Sequence, residues 1–123
     1  NGTNTAHGLS MYLNGLITAT DYYRQVVTFD DVTTTPSRGN DAAVAYIEAS
    51  NYTYVVIDLV RGPGDFAFAT VLTARSAGSA LKINNYSWSK TAAIANITNI
   101  KFTAGVANGI GIGTKVRIYR KDK

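Results

Sequence analysis

The pattern of apolar and polar positions changes period several times along the chain, and nowhere settles into a helical stripe. Residues 22–30, "YYRQVVTFD", alternate: Tyr23, Gln25, Val27 and Phe29 fall on one face, and Tyr22, Arg24, Val26 and Thr28 on the other. Residues 42–50, "AAVAYIEAS", alternate in the same way. The runs 52–61, "YTYVVIDLVR", and 66–74, "FAFATVLTA", are apolar on both faces, as expected of a central strand or one that faces a partner subunit. The cleanest alternation is "TKVRIYR" (114–120), with Val116 and Ile118 expected inward and Lys115, Arg117 and Tyr119 outward. Near the start, Asn14 and Gly15 separate two short apolar runs. Both residues tolerate the positive φ of a tight hairpin turn, so a hairpin is expected there. "DVTTTPSRGND" (31–41) has turn chemistry and no core positions, and predicts an exposed loop. Further turns are expected at Ser50 and Asn51, at "GPGD" (62–65) and at "RSAGSA" (75–80), the last followed by a short strand at "LKIN".

One stretch breaks the alternation. In "SWSKTAAIANITNIKFTAGV" (87–106), Ile97 falls out of phase with Ile100 and Phe102. A helix is disfavoured by Asn96, Thr98, Asn99 and Thr103. A β-bulge near Thr98 and Asn99 would return all three apolar side chains to one core. Eight to ten short strands, spaced by turns and without an amphipathic helix, predict an all-β fold: an antiparallel β-sandwich, jelly-roll-like. The 123 residues suit a single domain, 1–123, with 1–8 expected to be a loose N-terminal segment or linker. The chain begins at Asn1 and not Met, and is expected to be a fragment or processed product.

Composition narrows the chemistry. The chain has no cysteine, so disulfides and thiolate metal sites are excluded, and its single histidine is His7. No apolar run reaches the roughly 20 residues of a membrane span. Net charge is +4, from 12 basic and 8 acidic residues. Five of the basic residues lie in the last nine: Lys115, Arg117, Arg120, Lys121 and Lys123. A nucleic-acid surface would be broader, and no nucleic-acid partner is expected. Asp30 and Asp31 are adjacent, so on a strand they point to opposite faces and make a poor catalytic pair. Asp58 is expected to pair with Arg61 or another arginine, or to meet solvent at a sheet edge. Asp30, Asp31, Asn40 and Asp41 offer oxygens to a calcium ion but lack EF-hand spacing. "GIGIG" lacks the spacing and following helix of a phosphate loop. No catalytic residue, metal or cofactor is assigned, and the chain is not expected to be an enzyme.

Aromatic residues are the most suggestive feature. Tyr and Trp combine an apolar face with a polar handle, suited to sugar rings and interfaces. "NNYSWSK" puts Tyr86 and Trp88 on one face beside Asn85. Tyr22, Tyr23, Asn85, Tyr86 and Trp88 are therefore the candidate ligand-binding residues, with Trp88 equally suited to plug the core.

"SAGSALKI", the aromatic "YSWS", "AAIANITNIKFTAG", a glycine-containing loop and the closing "GTKVRIYRK" together resemble the C-terminal β-sandwich domains of bacteriophage tail fibres and tailspikes, over about half of the chain. The resemblance implies a non-catalytic domain of a homotrimer in the virion tail. Its role would be binding of bacterial surface polysaccharide, trimer capping, or both. The alternatives are a carbohydrate-binding module of a bacterial extracellular enzyme and a purely structural trimerisation domain.

Overall fold

The computed structural model describes residues 6–30, 33–47, 52–77, 80–111 and 114–119. Eight strands form two antiparallel sheets: β1 (His7–Leu13), β2 (Tyr22–Asp30), β3 (Thr33–Gly39), β4 (Ala43–Ile47), β5 (Thr53–Arg61), β6 (Ala67–Ala77), β7 (Ala80–Lys90) and β8 (Ile100–Ala104). The three-stranded sheet has the order β4-β1-β8, and the five-stranded sheet β3-β2-β7-β6-β5. First strand pairs with last and second with seventh. The nesting stops there, because β3 adds to β2 and β5 to β6, so the architecture is a β-sandwich with jelly-roll-like pairing at its outer strands only.

Alternation explains the core. On the large sheet Tyr22 and Val26 of β2, Ala67, Ala69 and Val71 of β6, and Tyr86 and Trp88 of β7 are buried. Met11 and Leu13 of β1 and Val44 of β4 meet them from the small sheet. Trp88, 2% exposed, fits because its neighbour on β6 is the small Ala69. Its ring stacks on Tyr22 with centroids 4.9 Å apart, and Tyr12 meets Tyr22 edge-on at 5.7 Å. The Tyr22 hydroxyl accepts a hydrogen bond from the Leu13 amide (3.0 Å) and donates one to the Leu16 carbonyl (2.8 Å). One side chain thus fills the core and holds the turn that leaves β1. Between β1 and β4 the register shifts at Leu9 and Ser10, which skips Val44. That bulge lets the consecutive Val44 and Ala45 both be buried.

Four expectations are corrected. Residues 33–39 are not a loop but β3, paired with β2 from Arg24↔Gly39 to Asp30↔Thr33. An edge strand exposed on both faces needs no apolar residue, and it tolerates Pro36. Asn14 (φ 52°) and Gly15 (φ 73°) do form a tight turn, but no strand follows it, so there is no hairpin. The break in 87–106 is not a bulge: β7 ends at Lys90, and residues 91–99 cross from the large sheet to the small one. Asn14 holds that crossover. Its Oδ1 accepts from the Thr98 amide (2.8 Å), the Thr98 hydroxyl (3.1 Å) and the Asn99 amide (3.2 Å), and its Nδ2 donates to the Asn96 carbonyl (2.6 Å). These bonds take the place of a strand ladder. The consequence expected of a bulge survives, since Ile97, Ile100 and Phe102 all pack against one core. Lastly, residues 114–119 form no strand, and Val116 and Ile118 are exposed, not inward.

His7 and Gly8 belong to β1 and not to a loose segment. His7 is buried, with Nε2 3.1 Å from the Gly109 carbonyl oxygen. The turns expected at Ser50 and Asn51, and the centre of the β6–β7 turn, lie outside the described residues. "GPGD" is a 3₁₀ turn with Gly64 at φ 70°.

If Tyr22 and Trp88 carry the core, Tyr22→Phe should lower stability by about 1–3 kcal/mol, the usual cost of stranding buried hydrogen-bonding groups. Trp88→Ala should cost about 3–5 kcal/mol. Urea midpoints at fixed temperature measure both, and equal losses in the two variants would contradict this ranking.

Candidate functional site

The candidate residues separate into two groups. Tyr22, Tyr86 and Trp88 point between the sheets and are buried. In this conformation none presents a ring face to solvent, so the stacking expected of them is corrected: they are core because residues of even number on β2 and β7 face inward. Tyr23, 52% exposed, and the exposed Asn85 lie on the outer face of the large sheet.

Strand register shows what surrounds Tyr23. Across the sheet it lies in one row with Ser89 of β7, Phe68 of β6 and Val60 of β5. The next row is Arg38, Gln25, Ser87, Thr70 and Asp58. Two serines on the central strand, between Tyr23 and Phe68, make a trough. Its aromatic walls stand roughly 10 Å apart, two interstrand spacings. The trough opens into a depression of about 420 Å³ lined by Tyr23, Gln25, Arg38 and Asn40. A second depression of about 240 Å³ continues over Ser87 and Ser89 to Phe68. Among the five site residues expected from sequence, Tyr23 alone contributes to the lining of both. Asn85 sits one row further along, between Leu72 and Val27.

The rim is built by an ion pair beneath it. Arg24 grips Asp41 with two bonds of 2.8 Å, Nε to Oδ1 and Nη2 to Oδ2. The Ala43 amide donates to Asp41 Oδ1 at 2.9 Å, so the large sheet is tied to the start of β4. Gly39 faces Arg24 in the register, and a Cβ there would stand 2.6 Å from Asp41 Oδ2. A side chain at this open end of the β2–β3 hairpin would therefore displace the Asp41 carboxylate from Arg24. Burial pushes the Asp41 carboxyl up, but the Arg24 hydrogen bond, the Ala43 amide and the Arg24 charge outweigh it and hold the group below its ordinary value of 3.8. For Arg24, the hydrogen bond to Asp41 raises the guanidinium further, against burial.

At the opposite end, the inner face becomes polar. Asn84 Nδ2 donates to the Thr28 hydroxyl (2.6 Å), and Arg75 Nε donates to Asn84 Oδ1 (3.2 Å). The Arg75 guanidinium lies 4.6 Å from the centroid of the Tyr46 ring, and Lys82 pairs with Asp30 at 2.7 Å. Burial lowers the Arg75 value. Of the acids offered for calcium, Asp41 and Asp30 are thus bound to cations, and Asp31 lies outside the described residues. Arg61 pairs with Asp65 (3.5 Å). Asp58 lies half-buried on β5, an edge strand among the described residues.

Chemically, the trough and its open end offer two aromatic side chains, hydroxyls, two side-chain amides that both donate and accept, and one guanidinium. Groups of these kinds can stack on and hydrogen-bond to a polyhydroxylated ligand. The fold defines a β-sandwich module; compared with protein-family models, curated proteins and solved structures, the chain matches none. Ser87, Ser89 and Phe68 were not legible as site residues. They sit far from Tyr23 in sequence and meet it only through register.

Because the folded-state value of Asp41 is depressed, its contribution to stability is full above the ordinary carboxyl value of 3.8 and is lost as the pH falls through the lower folded value. Asp41→Asn should remove that part of the acid dependence. Urea midpoints of both proteins from about pH 6 downward should converge as acidity increases; parallel curves would refute the assignment.

Proposed function

We propose that this domain is a non-catalytic binding module that holds bacterial surface polysaccharide in the trough between Tyr23 and Phe68. The observation that carries the reading is the register that sets two exposed aromatic residues on either side of Ser87 and Ser89. Tyr23 supplies a stacking face, while Gln25, Arg38 and Asn40 supply polar contacts at its open end. The sequence resemblance supports a setting in a phage tail fibre or tailspike, as one copy of a homotrimer in the virion. A carbohydrate-binding module of an extracellular enzyme would use the same trough. The second reading, a structural trimerisation domain, is favoured by a separate observation: Tyr54, Val56, Phe29, Leu72 and Leu81 leave the same sheet face apolar and exposed.

Titration calorimetry with purified capsular and O-antigen polysaccharides tests the reading. Tyr23→Ala and Phe68→Ala should each weaken binding at least tenfold, about 1.4 kcal/mol, without lowering the melting temperature, since both side chains are exposed. Tyr52→Ala, which precedes β5 and lies off the trough, should bind as the parent does. Binding untouched by either trough variant would refute the site. Retention of the assembled state with no polysaccharide bound would favour the structural reading.

A further inference from the structure

Among the described residues, two features lack a counterpart. The first is β5, the apolar edge of the large sheet. It has β6 on one side and, among the described residues, no strand on the other. Its inward residues Val55, Ile57 and Leu59 pack on the core but stay only partly buried, and Tyr54, Val56 and Val60 are exposed on the outer face. A nine-residue edge of this composition is a template for another strand. The second feature is the segment 114–119. It has the strictest strand alternation in the sequence, yet it joins no sheet, and Val116 (62%), Ile118 (76%) and Tyr119 (77%) are exposed.

We propose that residues 114–119 of one copy add to the large sheet of a second copy as a sixth strand, antiparallel to β5. This reading needs the self-assembly proposed above, but not the polysaccharide site.

Phase and charge select the edge and the register. An antiparallel strand with Lys115 opposite Asp58 sets Val116 beside Ile57 and Ile118 beside Val55, all facing inward. Arg117 then lies opposite Val56 and Tyr119 opposite Tyr54, all facing outward. Asp58 is the one charged residue among 53–60, while Lys115 and Arg117 are the charges of the segment, so the pair is of opposite sign. Asp58 keeps its contact within its own chain, and the cross-strand lysine adds to it. The other edges fit less well. β3 carries Arg38 and no apolar row, β8 carries the exposed Lys101, of like sign to the segment, and β4 is only five residues long with no acidic residue to meet Lys115. Main-chain bonds along β5 would supply affinity, and the alternating side chains would supply the register.

The absence of native cysteine makes the test direct. Opposed residues in an antiparallel pair have Cα atoms about 4.5–5.5 Å apart, within disulfide range. A tagged Asp58→Cys copy is mixed with an untagged Lys115→Cys copy and oxidised; the untagged partner is then replaced by Val116→Cys, whose side chain faces away. The expected result is a mixed disulfide dimer with Lys115→Cys, several-fold more abundant than with Val116→Cys. In parallel, light scattering should show that a chain ending at Gly113 loses the assembled state of the full chain. Assembly that survives the truncation, or equal cross-linking by the two partners, would overturn the strand addition while leaving self-assembly in place. A full chain that is monomeric at micromolar concentration would overturn both. Polysaccharide binding is read separately and is unaffected by either outcome.

Discussion

The contact on which the rest of this sandwich depends is the stack of Tyr22 on Trp88. Both rings lie between the sheets, on adjacent strands β2 and β7, and the Tyr22 hydroxyl reaches across to the backbone of β1 at Leu13 and to the turn at Leu16. An apolar ring alone would fill the space. The phenol also satisfies polar backbone groups at the point where the chain leaves the small sheet, which is why tyrosine and not phenylalanine suits this place. Asn14 acts two residues away on the same turn. Its αL backbone aims a side-chain amide at the crossover 96–99 and makes four hydrogen bonds to it. Turn, aromatic stack and crossover are therefore one structural unit, its Asn14 bonds joining residues 82 to 85 positions apart in the chain.

The same alternation that buries Tyr22 and Trp88 turns Tyr23, Ser87 and Ser89 to the outer face. A residue's parity on β2 and β7 decides whether it serves the core or the outer surface. This explains why the aromatic "YSWS" suggested a ligand platform in sequence and yields a core plug in structure, while the surface it creates is made of its serines. The trough exists because serine leaves space between larger neighbours on β2 and β6, not because an aromatic cluster protrudes.

Strands with half-buried alternation, β2 above all, were legible in the sequence because one face must meet the core. The double apolar runs of β5 and β6 were also legible as strands. Their places were not: β6 is interior, whereas β5 is an edge whose outer apolar row is open to solvent. β3 was invisible because its partner, and not its own side chains, makes it a strand; "TTTPSRG" has no face to bury. The crossover 91–99 was misread as strand because β-branched residues there satisfy the propensity, while the decisive bonds come from Asn14. Within the candidate site, Tyr23 was readable as a surface aromatic. Phe68, Ser87 and Ser89 were not, since their adjacency is a property of register across three strands.

The nested pairing of β1 with β8 has a consequence for the order in which the molecule is completed. Five strands of the large sheet lie within residues 22–90, but the small sheet cannot close until Ala104 is available to meet Leu9. On a ribosome the chain would therefore carry the whole large sheet, with the faces of Tyr22 and Trp88 not yet covered by a closed small sheet, until residues 100–104 emerged. Distant pairings of this kind form slowly. Nascent copies held close together would pass through a stage when each lacks its lid, and this is when the wrong sheet is most easily taken as a partner.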